Sequence, residues 1–120
     1  MTIYNIDGLG FKYVLTGSVN LLAKSKHEID ALNVFPVPDG DTGTNMYLTF
    51  LEAAKEAKVV DGHHLGQVIE AAARGCLMGA RGNSGVILSQ MVRGIANSLQ
   101  DKEKANAQDL APAVKAAAKS

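Results

Sequence analysis

The chain has 120 residues, 47% of them hydrophobic, with 12 Lys and Arg against 12 Asp and Glu; that suffices for one small domain with a real core, and the balanced charge offers no bulk field for nucleic acid or an anionic membrane. Cys76 is the only cysteine, which excludes an internal disulfide and fits a reducing compartment. No run approaches the ~18 apolar residues of a membrane span, and the N-terminus lacks the basic start and apolar block of a signal peptide, so a soluble cytoplasmic protein is expected, with no nucleic-acid partner and no membrane insertion.

Residues 1–8 are short and mixed. From about Gly10 to Leu32 apolar residues recur at helical spacing: Phe11, Val14, Leu15, Val19 and Leu22, then Ile29 and Leu32. Gly17 weakens this first helix without breaking it. Pro36 and Pro38 enforce a stop after Asn33, because each fixes φ at about −65° and disfavours helix in the residue before it. Phe35 to Pro38 should form a stiff, extended approach. A second helix is expected from Thr42 or Gly43 to Lys58, with Tyr47, Phe50, Leu51 and Ala54 on one face and Asp41 as its N-cap. Asp61-Gly62 marks a turn. The third helix carries a stripe of Leu65, Val68, Ile69, Ala72, Cys76 and Ala80. Gly79 to Asn83 is the next break, and a fourth helix follows with Leu88, Met91, Val92, Ile95 and Leu99 on its stripe. Gln100 to Asn106 reads as a polar connector, and a fifth helix begins near Gln108 with Leu110, Ala111, Val114 and Ala117. No strand-like alternation is present, so the class is all-α, an antiparallel up-and-down bundle of about five helices. The fifth helix stops without a C-cap glycine, and the chain is expected to be a fragment of something longer.

The chemistry concentrates where the first two helices meet. Asp39 and Asp41 flank Gly40 and can place two carboxylates on one ion or on a pair of ions. Mg²⁺ takes a few such oxygens and leaves its other positions to water and phosphate. Asn33 can add an amide oxygen if the proline strut folds back. Thr42, Thr44 and Asn45 stand where the next helix begins, and helix N-termini present N–H groups to anions. Carboxylates and phosphates repel, so the two features together point to metal-bridged phosphate. The competing reading is an Asp-Gly turn with a helix cap; the prolines and the Thr-Gly-Thr-Asn tail weigh against it. An EF-hand is a poor fit, because positions six and twelve counted from Asp39 hold Thr44 and Phe50 in place of Gly and Glu.

A second cluster, Gly79-Ala80-Arg81-Gly82-Asn83-Ser84-Gly85, opens the fourth helix. It is neither a Walker loop nor a dinucleotide fingerprint. Small residues at a helix start can still cradle phosphate through backbone N–H groups. Asn83 and Ser84 add donors, Ser84 can cap the helix, and Arg81 could meet a phosphate. Taken alone, the cluster reads as a helix break with tight packing. In an antiparallel bundle, however, the loops before helices two and four lie at the same end, and that coincidence favours one shared site. Elsewhere, His63 and His64 read as surface loop, Cys76 as core, Met46, Met78 and Met91 as core or pocket lining, and Arg74 and Arg93 as helix surface. No Ser/His/Asp triad is supported around Ser84.

Residues 33–46 and 78–90 together closely resemble the N-terminal nucleotide-binding domain of bacterial fatty acid kinase, which is similar to the ADP-binding subunit of dihydroxyacetone kinase. The resemblance covers the chain to about residue 100. It implies an α-helical barrel of eight antiparallel helices, so that 1–120 would be a partial nucleotide-binding kinase domain holding about five of them. It further implies ATP or ADP bound at one end through two Mg²⁺ held by an aspartate cluster. Asp39 and Asp41 match two of those aspartates, as metal ligands and as the catalytic pair. The third lies upstream, where this chain offers Asn33, one residue further off, or Asp30. Thr42, Gly43, Thr44 and Asn45 match the phosphate-side residues, and Gly82, Asn83, Ser84 and Gly85 match the second nucleotide loop. The implied reaction transfers the γ-phosphate to a fatty-acid carboxylate presented by a separate lipid-carrier protein. The alternatives are a dihydroxyacetone-type kinase subunit and a non-catalytic nucleotide-sensing or helical interaction module. The piece alone is expected to be inactive or weak in transfer, and a homodimer is among the expected partners.

Overall fold

The computed structural model describes residues 5–32 and 41–119. The helix stop after Asn33, the extended proline strut and Asp39 lie outside the described residues. In chain order the elements are β1 (Ile6–Asp7), α1 (Gly8–Leu32), α2 (Thr42–Lys58), α3 (Leu65–Gly79), α4 (Gly82–Leu99), β2 (Lys104–Ala105) and α5 (Ala107–Lys119). The all-α class holds, with each of the five expected helices in place. One departure is the small antiparallel pairing of β1 with β2, in register Ile6 to Ala105 and Asp7 to Lys104. It places a strand inside the stretch 100–106 that reads as a polar connector. Two residues are too few to show alternation in sequence.

The helices run up and down, and backbone contacts show it. At one end Gly8 N–H donates to the His63 carbonyl (2.8 Å), while Leu65 and Gly66 donate to the Glu103 and Lys102 carbonyls (2.9 Å each). These bonds fasten the start of α1 to the chain entering α3, and the start of α3 to the chain leaving α4. At the other end, Gly43 at the start of α2 lies on Lys26 and Ile29, near the end of α1. His64 caps α3 through Nδ1, which accepts from Gln67 N–H at 3.2 Å. It therefore has a structural task beyond that of a surface loop residue.

The core is centred on α3, whose Leu65, Val68, Ile69, Ala72 and Cys76 are essentially sealed from water. Leu15 and Val19 of α1, Ala53 and Ala57 of α2, Val92, Ala96 and Leu99 of α4, and Ala113 of α5 close around it. So many small residues bring the helix axes close together, and backbone packs on backbone. A Cβ on Gly75 would fall against the Glu52 carbonyl of α2. Lys26 Nζ sits 4.6 Å over the Tyr47 ring, a further link between α1 and α2.

Periodicity marks a broader apolar arc than the packing uses. Val14 and Leu32 of α1, Met78, Met91, Ala111 and Val114 are exposed, against the expectation of core. A helix buries only the arc that faces neighbours, and α5 packs mainly on α4 alone. Arg93 is half-buried, its Nη1 2.6 Å from Glu70 Oε2, so it is an anchored side chain and not plain surface. Among the described residues no helix is long and apolar enough to cross a membrane.

Candidate functional site at the starts of α2 and α4

The start of α2 is capped from outside its own loop. Asp41 occupies the N-cap position but makes no side-chain capping bond. An N-cap side chain ordinarily accepts from the N–H two or three residues on. Here the third, Thr44 N–H, donates instead to Asp30 Oδ1 at 3.0 Å, and the Thr44 hydroxyl donates to Asp30 Oδ2 at 2.6 Å. Asp30 lies in the last turn of α1, and antiparallel pairing delivers it to this point. The pairing is close because Gly43 is buried against the Lys26 backbone, with no room for a Cβ. The Thr44 hydroxyl is the main cause holding the Asp30 carboxyl below its usual range; burial opposes it, and the Thr44 and Gly43 amides and His27 assist. Asp41 is thereby released from capping and is exposed.

The start of α4 packs directly on the start of α2. Gly82 adopts φ +64°, a left-handed conformation open to glycine. A Cβ there would also meet the Asn45 side-chain amide. α4 runs from Gly82, and Ser84 lies within its first turn. Ser84 Oγ does not cap α4; it donates across to the Thr42 carbonyl at 3.4 Å. Gly85 is buried against Thr49. Arg81 N–H donates to Thr49 Oγ1 at 3.2 Å, and the Thr49 hydroxyl donates to the Asn45 carbonyl at 2.8 Å. Arg81 and Asn83 have exposed side chains.

The structure thus brings Asp41, Thr42, Gly43, Thr44 and Asn45 together with Gly82, Asn83, Ser84 and Gly85 at one end of the bundle. Asp39 and Asn33 lie outside the described residues. The two halves differ in electrostatic character. The α2 side carries the Asp30 and Asp41 carboxylates. The α4 side carries Arg81 and the first-turn N–H groups that a helix leaves without intrahelical acceptors. Two roles are hard to find by sequence reasoning. Asp30, offered by the resemblance as an alternative metal ligand, instead caps Thr44 from 14 residues away with no local motif to link them, and Thr49 has the look of an ordinary helix residue. Among the described residues no cluster of three or more His, Cys, Asp or Glu is gathered for a metal. Cys76 is sealed in the core of α3, and burial pushes its thiol up to about 11.

Residues 36–120 match the DAK2 domain, and the chain belongs to that dihydroxyacetone-kinase-like family. The matched span contains both clusters, while Asp30 and Asn33 precede it. Among its relatives, Protein YloV of Bacillus subtilis is 46% identical over 116 residues, covering 97% of this chain and 21% of that protein. An uncharacterized protein of Staphylococcus saprophyticus is 42% identical over 114 residues, covering 95% of this chain and 21% of its own. Another, of Staphylococcus epidermidis, is 39% identical with the same coverage. The chain spans about a fifth of the length of these curated relatives.

Proposed function

We propose that this chain is the nucleotide-binding part of a kinase, holding ATP or ADP with Mg²⁺ between the starts of α2 and α4. The observation that carries the reading is the direct packing of these two helix starts, one lined by carboxylates and the other by a cation and backbone donors. A phosphate facing the α4 side also faces Asp30 and Asp41, and it fits there only with cations between. Membership in the DAK2 family supports kinase-like chemistry.

The donors suit a hard cation, since every candidate ligand is an oxygen. Asp41, freed from capping, and Asp39 would hold it, with Asn33 as a further oxygen. When bound, Mg²⁺ supplies charge neutralisation of the phosphates. Thr42, Gly43, Thr44 and Asn45 line the phosphate side. Gly82, Asn83 and Ser84 would offer first-turn N–H groups to the same space, Gly85 spends its own on the Arg81 carbonyl and adds a small surface beside them, and Arg81 adds positive charge. For the whole protein, the acceptor proposed is a fatty-acid carboxylate presented by a separate lipid-carrier protein. Such an acceptor is already ionised at neutral pH, so no general base is needed. A dihydroxyacetone-type acceptor is the second reading, favoured by the family match; its hydroxyl would need activation. Titration calorimetry with ADP should show binding with Mg²⁺ and none after chelation. Binding that is absent, or indifferent to Mg²⁺, overturns the proposal. Offering carrier-bound fatty acid and dihydroxyacetone side by side separates the two acceptors.

A further inference from the structure

We propose that Thr49 is the positioning residue that locks the two halves of this site into one, an inference that rests on the nucleotide reading above. Thr49 is 0% exposed; among the described residues only it and Ser89 are polar side chains buried in an apolar core. A hydroxyl so placed must find partners, and this one uses both its functions. It donates to the Asn45 carbonyl (2.8 Å) and accepts from the Arg81 amide (3.2 Å). The first bond is the local back-bond common for Thr in helices. The second is not local: it joins residues 32 apart and ties α2 to the chain immediately before α4. Arg81 occupies the N-cap position of α4, and its own side chain makes no cap. Its backbone direction sets how Gly82 begins the helix, and hence where the first-turn donors point. Gly85 completes the arrangement, because a Cβ there would push on the Thr49 oxygen. Three site positions, Asn45, Arg81 and Gly85, therefore converge on one buried oxygen that itself never reaches the ligand space.

An apolar side chain of the same shape cannot make this link. With Val at position 49 the Arg81 amide loses its acceptor and the loop is free to turn toward water. The donors of α4 then leave their register with Asp41 to Asn45, and misplacement of binding groups by a fraction of an ångström to an ångström is costly. The test uses Thr49→Val and Thr49→Ser in the full-length protein. Val keeps the volume without the hydroxyl; Ser keeps the hydroxyl and gives up a methyl. Two measurements are made: hydrogen exchange of the Arg81 amide without nucleotide, and ADP affinity with Mg²⁺. The expected result is slow exchange in the parent and in Thr49→Ser, and fast exchange in Thr49→Val. ADP affinity should fall about tenfold in Thr49→Val and stay within about threefold in Thr49→Ser, as expected for loss of one ordinary hydrogen bond against its retention. Equal weakening by both variants would make Thr49 a packing residue only and overturn the proposal, as would unchanged affinity in Thr49→Val. If Thr49→Val does not fold, parent-like exchange and affinity in Thr49→Ser still support the link, and loss of either in that variant overturns it. Failure of the parent to bind ADP sinks the nucleotide reading, and the lock is then decided by the Arg81 exchange alone.

Discussion

Asp30 performs, from a neighbouring helix, the capping that Asp41 would perform from its own. That exchange of roles leaves Asp41 exposed and without a capping bond, one residue from the Thr42 carbonyl that Ser84 of α4 reaches. Because the folded Asp30 carboxyl titrates below its usual range, its stabilisation is complete above the unfolded value of about 3.9 and is lost as pH falls through the lower folded value. Asp30→Asn should therefore lower the urea midpoint at pH 7, with the gap to the parent closing as both are taken to acid. A gap independent of pH would show that the charge contributes nothing. Cys76 is shifted the other way, to about 11 by burial. Its neutral form is favoured in the folded state, so its contribution is complete below an unfolded value of about 8.5 and is lost as pH rises toward 11. At pH 8 the folded protein should resist iodoacetamide and the urea-unfolded protein should take up one equivalent, as read by intact mass. Rapid alkylation without denaturant would contradict the sealed position.

At the scale of the helix, two glycines with the same local propensity should respond in opposite directions. Gly17 lies exposed inside α1 with nothing near the position of a Cβ. Gly17→Ala should stabilise by about 0.5–1 kcal/mol, the helix-interior difference between the two residues. Gly75 sits where α3 rests on the α2 backbone at Glu52. There the same propensity gain is opposed by a clash with a carbonyl that cannot step aside, and Gly75→Ala should destabilise by about 1–3 kcal/mol. Denaturant midpoints with unchanged m-values would report both. Similar signs for the two would mean that local propensity, not interhelical distance, governs α3. The glycines thus divide into those that a helix merely tolerates and those that let two helices touch.

For the molecule as a whole, the bundle's value lies in its parity. Helices two and four start at the same end, which brings residues some forty positions apart into contact; Ser84 reaches Thr42 in this way. In the full-length protein, Asp39→Ala combined with Asp41→Ala should abolish phosphoryl transfer while circular dichroism stays helical. Survival of transfer to carrier-bound fatty acid would remove the aspartates from the metal assignment.

The amino-acid sequence alone determined the helices, because a period of 3.6 and the Pro and Gly breaks are local signals. It also marked the two clusters at 39–45 and 82–85 as chemically unusual. It determined the central stripe of α3 from Leu65 to Cys76 correctly, since that arc is surrounded by α1, α2 and α4; Ala80, also expected on it, follows the helix and is half-buried. Exposure of Val14, Leu32, Met78 and Val114 was decided by the tertiary structure, because periodicity reports which arc is apolar and not how much of it finds a partner. The two-residue pairing of β1 with β2 was likewise too short to leave a pattern. The replacement of Asp41 by Asp30 as the cap, and the lock through Thr49, depend on which side chains antiparallel packing brings within 3 Å or so, and hydrogen bonds between distant residues leave no local signature.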